Sequence, residues 1–292
     1  MTDTVKFTIS FEGNSSDNHR IDLYDIAQAL TGFQRSLALT THLILNNQVI
    51  TQSPSLKNAE IYSLPSKDGS WKMTAVICTA LYSLGTAPKD TPLGHIIYSA
   101  YDYVISESLG VHVDYNKTLG KLYEESENKK LPKIQQYQLD SVIEKCSFSI
   151  KEMHRPIYQT RTATKATINA MLNDTLLPIS SSLSMDTYAH LKEELISSEE
   201  KIVKGYISSY NVNTYKGRIY IPKEGRPIPF ELSKSIKDKR TVEIIVNNLS
   251  KNALDDQDIK KIKCTVFEVT SNSAKLKRYI VKNISLKNSE DR

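Results

Sequence analysis

The chain has 292 residues, of which 39% are hydrophobic and 8% aromatic, so it is long enough for two globular domains and is not generally disordered. Its three cysteines form neither a Cys-x-x-Cys pair nor an even set, which excludes the common cysteine metal motifs and a complete disulfide framework. The first residues, MTDTVKFTISFEG, lack the basic and apolar pattern of a signal peptide, so we expect a reducing, cytoplasmic location.

The formal net charge of +5 is distributed unevenly along the chain. Residues 201–292 contain 20 Lys and Arg against 10 Asp and Glu, whereas residues 1–200 contain 18 against 23. A basic part of this kind indicates a polyanionic partner, or attraction between the basic and acidic parts of the chain.

The amino-terminal residues predict a small α+β unit. Val5 to Glu12 alternates as a strand does, and apolar residues then recur at helical spacing from Leu23 to Leu45, with Asp22 as the N-cap. The segment AEIYSLPSKDGSWKMTAV predicts a hairpin at Asp68-Gly69. The apolar residues 73–87 predict a buried helix, because this run is shorter than the roughly 20 residues that span a bilayer.

More helices are predicted in the following residues. The segment HIIYSAYDYVISESLG favours a helix that ends at Gly110. Further helices are predicted near Gln135–Met153, Thr162–Leu172 and Met185–Glu200.

The carboxyl-terminal residues alternate as short strands do. Five strand-like runs, KIVKGYISSYNV, KGRIYIP, PIPFEL, KCTVFEVTS and KLKRYIVKNIS, surround a helical segment, TVEIIVNNLSKNAL, between the third and fourth. This order predicts a five-stranded OB-like barrel, with an SH3-like barrel as the alternative. We therefore expect a largely helical α+β domain over residues 1–198 and a basic β-barrel domain over residues 199–292.

Aromatic and basic residues are interleaved in the first two strands of this barrel. Strand alternation predicts that Tyr206, Ser208 and Tyr210 point outward, and that Arg218 and Tyr220 share one face. OB-folds bind nucleic acids through such faces, so we expect base stacking by tyrosines and phosphate or carboxylate pairing by cations. The expected binding residues are Lys204, Tyr206, Tyr210, Lys216, Arg218, Tyr220 and Arg226. The alternative is that they are ordinary strand and solubilising residues.

A polar cluster in the amino-terminal part, His95, Asp102, Ser106, His112 and Asp114, is the candidate for catalysis or metal binding. Ser106 lies in a predicted helix without a Gly-x-Ser-x-Gly elbow, and His112 and Asp114 lack a third ligand in register. The chain also has no Gly-rich phosphate loop. The sequence thus favours a non-enzymatic protein, and we expect no metal and no cofactor.

Two segments, GTAPKDTPLGHIIYSAYDYVISESLG and YNVNTYKGRIYIPKEGRPIPFEL, resemble an uncharacterised family of bacterial two-domain proteins. The resemblance implies a helical α+β region followed by a small β-barrel in a bacterial cytoplasmic protein. It implies no activity, cofactor or catalytic residue.

These patterns leave three functions open. The first is a binding or assembly protein whose barrel contacts nucleic acid or an acidic protein surface, with homo-oligomers as a further expectation. The second is an antiviral defence or toxin effector that acts by oligomerisation or membrane disturbance through residues 73–87. The third is a hydrolase that uses the cluster from His95 to Asp114.

Overall fold

In a computed structural model, the described residues are 5–64, 71–79, 93–125, 133–172, 174–192, 194–254, 259–270 and 276–286. The chain divides into two compact units, Met1–Lys192 and Glu193–Arg292. The division lies six residues before the position expected from the change in sequence pattern. The fold is α+β, as the sequence predicts: helices and one sheet form the first unit, and a β-barrel forms the second.

The first unit contains a five-stranded antiparallel sheet in the order β2-β3-β1-β4-β5. Its strands are β1 (Val5–Glu12), β2 (Ala59–Leu64), β3 (Trp71–Thr79), β4 (Lys165–Leu172) and β5 (Thr175–Pro178). Its α-helices are α1 (Leu23–Asn46), α2 (Leu93–Ser108), α3 (Lys121–Glu125), α4 (Gln136–Glu152), α5 (Arg155–Tyr158) and α6 (Met185–Lys192).

The core of this unit contains the apolar residues that occupy every second position of β1. Val5, Phe7, Ile9 and Phe11 are all buried, and the ring of Phe7 packs edge-on against Tyr101 of α2 at 5.0 Å between centroids. α1 packs on both α2 and α4, so the helices cover the apolar face of the sheet. The carboxylate of Asp22 accepts the N–H of Asp25 at 3.0 Å, which confirms the predicted N-cap.

Three predicted helices are wrong in whole or in part. The residues from Met73 to Thr79 lie in β3, between β1 and β2, and residues 80–87 of the apolar run are outside the described residues. The helix predicted over Thr162–Leu172 is instead β4, and the helix from Met185 ends at Lys192. The spacing of apolar residues in a short run does not distinguish a helix from a strand. Here both runs form strands because they pair with β1.

The other predicted elements of the first unit are confirmed. β2 and β3 pair as a hairpin, although its Asp68-Gly69 turn lies outside the described residues. α2 ends just before Gly110, which has φ of +80°, and α4 matches the predicted helix. Within the described parts of the chain, no helix is long and apolar enough to cross a membrane.

The second unit is a closed β-barrel with one α-helix. Its elements are β6 (Leu195–Ile196), β7 (Lys201–Asn211), β8 (Lys216–Ile221), β9 (Arg226–Leu232), α7 (Lys239–Ala253), β10 (Ile262–Thr270) and β11 (Leu276–Leu286). The five long strands and the helix match the sequence prediction. β7, β8 and β9 pair in sequence, β9 pairs in parallel with β11, and β10 closes the barrel by pairing with both β11 and β7.

This connectivity gives each long strand two neighbours and leaves no long free edge. The 15-residue helix lies between the third and fourth strands of the barrel, which is the order expected of an OB-like barrel. α7 places Thr241, Ile245 and Asn248 against the barrel, and Asp238 caps its first turn. The short β6 pairs with the end of β10 and belongs to the same sheet.

Candidate functional site

Five residues on the outer side of the barrel form what we call the basic-aromatic face: Lys204, Tyr206, Tyr220, Lys261 and Lys263. Tyr206 of β7 lies directly opposite Tyr220 of β8, and Lys204 lies opposite Lys263 of β10. Residues in such cross-strand pairs share one face of the sheet. Lys261 completes the face, because its Nζ lies 6.0 Å from the centre of the Tyr206 ring.

The alternation of β7 turns Lys204 and Tyr206 outward. Their neighbours Val203, Gly205 and Ile207 are all buried. A Cβ atom at Gly205 would lie 2.2 Å from the backbone oxygen of Tyr220, so only glycine permits this close approach of the two strands. The close contact helps to place Tyr206 and Tyr220 beside each other.

The lysines of the basic-aromatic face carry charge that no described carboxylate neutralises. Among the residues that the structure describes, Lys204, Lys261 and Lys263 have no ion-pair partner. Lys201, earlier in β7, differs, because its Nζ lies 2.7 Å from Glu268. The uncompensated charge therefore lies beside the two tyrosines, where an anion with flat rings would find both contacts.

Tyr210 does not belong to this face, and its expected outward orientation is wrong. The pairing of β7 with β8 has a bulge between Ile207 and Ser209, which reverses the alternation for the rest of the strand. Tyr210 is therefore 8% exposed and stacks on Phe230 inside the barrel, with 6.3 Å between ring centroids. It faces Gly217, where a Cβ would lie 2.9 Å from the Phe230 ring.

The remaining predicted residues lie around the face or are covered. Arg218 shares the outer side of β8 with Tyr220, but it is only 4% exposed. The expectation that Arg218 is exposed at the surface is therefore wrong. Lys216 is half-buried at the other end of β8, opposite Glu231. Arg226 is half-buried at the start of β9, next to Pro227, which lies opposite Tyr220.

Two lysines of the face, Lys261 and Lys263, are not among the residues predicted from the sequence. The run KKIKC has lysines at alternate positions, which is the signal that they share one side of a strand. The sequence does not show that this strand pairs with β7. It therefore does not predict that these lysines lie beside Tyr206.

The polar cluster from His95 to Asp114 does not form one site. Asp102 is buried and accepts hydrogen bonds from the backbone N–H and the hydroxyl of Ser180, both at 2.7 Å, and from Ser106 at 3.0 Å. Asp102 therefore fastens α2 to the residues after β5. His112 pairs with Glu107 at 2.6 Å, and His95 is exposed.

Asp114, the last member of the cluster, accepts the backbone N–H groups of Asn116 and Lys117 at 3.0 and 3.3 Å. It thus closes the turn that follows α2, and the cluster brings only Asp102 and Ser106 together. This geometry offers no arrangement of nucleophile, base and acid.

The described residues contain no group of three or more His, Cys, Asp and Glu side chains that could hold a metal ion. Burial raises the pKa of the Cys146 and Cys264 thiols to about 12, so both stay protonated at neutral pH. Neither thiol has the properties of a reactive cysteine.

Comparison with known proteins gives matches to two family models. The barrel, over residues 199–285, matches the model described as a family of unknown function, DUF7947. Searches of curated proteins and of solved structures found no match. The two-domain layout implied by the sequence resemblance is therefore confirmed. Residues 7–190, more than half of the chain, match the domain of unknown function DUF7946, and the chain belongs to that family.

Proposed function

We propose that this protein is a non-enzymatic binding protein whose barrel binds single-stranded nucleic acid through the basic-aromatic face. The observation that carries the proposal is the pairing of Tyr206 with Tyr220 beside three lysines that no described carboxylate neutralises. Neither feature alone distinguishes a binding face from an ordinary barrel surface. Their position on one face of an OB-like barrel favours binding.

Each half of the face has a separate role. Tyr220 is 38% exposed and Tyr206 is half-buried, so their rings can accept unpaired bases by stacking. Lys204, Lys261 and Lys263 pair with phosphates along the strand. A duplex keeps its bases stacked within the helix, so this arrangement suits a single strand better.

An acidic protein surface would use the lysines but would leave the aromatic pair without a specific partner. The nucleic acid is therefore the better-supported partner. The effector alternative requires the apolar run to be exposed. Residues 73–79 do not support it, because they lie inside a sheet and Ile77 is fully buried.

The test replaces Lys204, Lys261 and Lys263 together by glutamine in the full chain. Binding of a fluorescent oligo(dT) strand is measured by anisotropy over a series of salt concentrations. Each lost phosphate contact removes about 0.7 from the slope of log K against log salt, so the triple variant should lose about 2.

The matched control replaces Lys117, Lys145 and Lys165 of the first unit by glutamine, which changes the net charge equally. We expect this control to keep the slope of the unmodified protein. Equal loss in both variants, or no binding of oligo(dT) or oligo(U) at low salt, would contradict the proposal and favour an acidic protein partner.

A further inference from the structure

One side of β10 faces away from the barrel core and continues the basic-aromatic face along the strand. Its residues are Lys263, Thr265 and Phe267, with Lys261 directly before the strand; we call these four the β10 track. The residues between them are all buried, so the alternation is unbroken over this length. Phe267 lies six positions after Lys261, so about 20 Å separates the ends of the track at the rise of a strand.

Phe267 and Lys282 form a pair like that of Tyr206 and Lys261. Nζ of Lys282 lies 5.5 Å from the centre of the Phe267 ring, as Nζ of Lys261 lies 6.0 Å from the centre of the Tyr206 ring. Both rings are half-buried. Each end of the β10 track therefore carries an aromatic ring with an ammonium group beside it.

A bulge in β11 places Lys282 beside this second ring. In the pairing of β10 with β11, Thr265 lies opposite Asn283. The next residue of β10, Val266, lies opposite Val281. Lys282 is thus the extra residue of the bulge and has no opposite residue in β10. The contact with the ring therefore depends on an irregularity in the ladder at this position.

The surface between the two rings carries positive charge and an exposed apolar side chain. Lys263 lies opposite Lys204, and Thr265 lies opposite Ile202. Ile202 is 56% exposed and shares the outer side of β7 with Lys204 and Tyr206. A nucleic-acid strand that follows the track therefore meets cations for its phosphates and an apolar surface for its bases and sugars.

Negative charge lies at the far end of the track. Glu268, the residue after Phe267, is already paired with Lys201, with 2.7 Å between Oε1 and Nζ. Two glutamates directly precede Lys201 in the chain. Within the described ranges, Lys282 has no ion-pair partner. A phosphate backbone is therefore attracted as far as Phe267 and meets like charge beyond it.

We infer that the binding face extends along the β10 track to Phe267, and that its ligand is a single strand of about six nucleotides or more. This inference rests on the proposed function, because it extends the same site. One end of the strand stacks a base on Tyr206 and Tyr220, and the other end stacks a base on Phe267. Bases stacked at about 3.4 Å per nucleotide need about six nucleotides to cover the track. A free nucleotide reaches one ring only.

The test compares fluorescent oligo(dT) strands of 3 and 12 nucleotides, of which only the longer reaches both rings. Binding to the full chain is measured by anisotropy at low salt. Ten possible registers alone make the longer strand bind about tenfold tighter, and stacking on a second ring adds at least about fivefold. We therefore expect the two affinities to differ by about fiftyfold or more.

Two variants locate the second ring. Phe267→Ala should weaken the 12-nucleotide strand at least about fivefold and leave the 3-nucleotide strand unchanged, which also shows that the variant is folded. Phe148→Ala in α4 is the matched control, because Phe148 is 70% exposed in the first unit. Lys282→Gln should reduce the salt slope of the longer strand by about 0.7 and leave that of the shorter strand unchanged.

The inference is overturned if Phe267→Ala binds the longer strand as tightly as the unmodified protein, or if the longer strand has only the statistical advantage. Equal weakening of both strands by Phe267→Ala would reflect a disturbed fold. Lys282→Gln then decides, and an unchanged salt slope of the longer strand overturns the inference. In these cases the proposed function still stands, whereas no binding of either strand to the unmodified protein would overturn both.

Discussion

The backbone N–H of Ile207 donates a hydrogen bond to Oδ1 of Asn248 at 2.7 Å. Asn252 donates to the backbone oxygen of Ile207 at 3.0 Å, and Asn248 also donates to the backbone oxygen of Lys260 at 2.9 Å. Side chains of α7 therefore satisfy the backbone of β7 where the bulge begins. The bulge in turn determines which tyrosines of β7 reach the surface.

Asn248→Ala should lower the stability of the barrel by about 1–3 kcal/mol, because it leaves a buried backbone N–H without an acceptor. Hydrogen exchange of the β7 and α7 amides in the full chain measures the effect. The neighbouring Asn247→Ala is the control, since Asn247 is exposed. If the two substitutions had equal effects, the role assigned to Asn248 would be wrong.

Tyr210→Phe should leave the barrel equally stable or stabilise it by about 1 kcal/mol. The buried hydroxyl of Tyr210 has no hydrogen-bond partner among the described residues, so its removal sacrifices no bond. Tyr210→Ala should instead cost about 3–5 kcal/mol, because it removes a ring packed on Phe230. Both effects are measured by hydrogen exchange of the barrel amides. A large loss in Tyr210→Phe would show that the hydroxyl is hydrogen-bonded.

Tyr206→Ala and Tyr220→Ala should each weaken binding of oligo(dT) by about 1–3 kcal/mol while leaving the salt slope nearly unchanged. The reason is that stacking contributes affinity without pairing a phosphate. Anisotropy titrations at several salt concentrations separate the two effects. Tyr137→Ala in α4 is the control, as Tyr137 is 45% exposed in the first unit. A changed slope with unchanged affinity would argue against stacking.

Acid should destabilise the first unit through His154. This imidazole is fully buried; its Nδ1–H donates to the backbone oxygen of Ile150 at 2.8 Å, and its Nε2 accepts from Thr187 at 3.0 Å. Burial lowers the pKa of His154 to about 4, from 6.5 for the free side chain. The folded state thus favours the neutral ring.

The stability that His154 contributes is therefore fully present above pH 6.5 and is lost as the pH falls through 4, by about 3 kcal/mol in total. Urea unfolding followed by the fluorescence of Trp71, the one tryptophan of the chain, reports on the first unit. His154→Gln should reduce the acid sensitivity by about this amount. An unchanged pH dependence in this variant would count against the prediction.

Much of the barrel was predictable because its signals are local. Alternation in five short runs, separated by turn residues, identifies its strands, and the helical spacing of TVEIIVNNLSKNAL identifies α7. In the first unit, the N-cap at Asp22 and the end of α2 before Gly110 are equally local. The sequence also shows that the basic charge lies in the last third of the chain.

The tertiary structure decided what local signals leave ambiguous. The residues from Met73 to Thr79 and from Lys165 to Leu172 are strands because β1 lies between them and pairs with both, and a short apolar run suits a buried helix equally well. Closure of the barrel brings Lys263 beside Lys204, although 59 residue positions separate them in the chain. Tyr210 faces inward because the bulge in β7 reverses which residues of the strand point into the barrel. Asn248 of the later helix α7 hydrogen-bonds to β7 at this bulge. Strand alternation alone contains no information about such a distant contact.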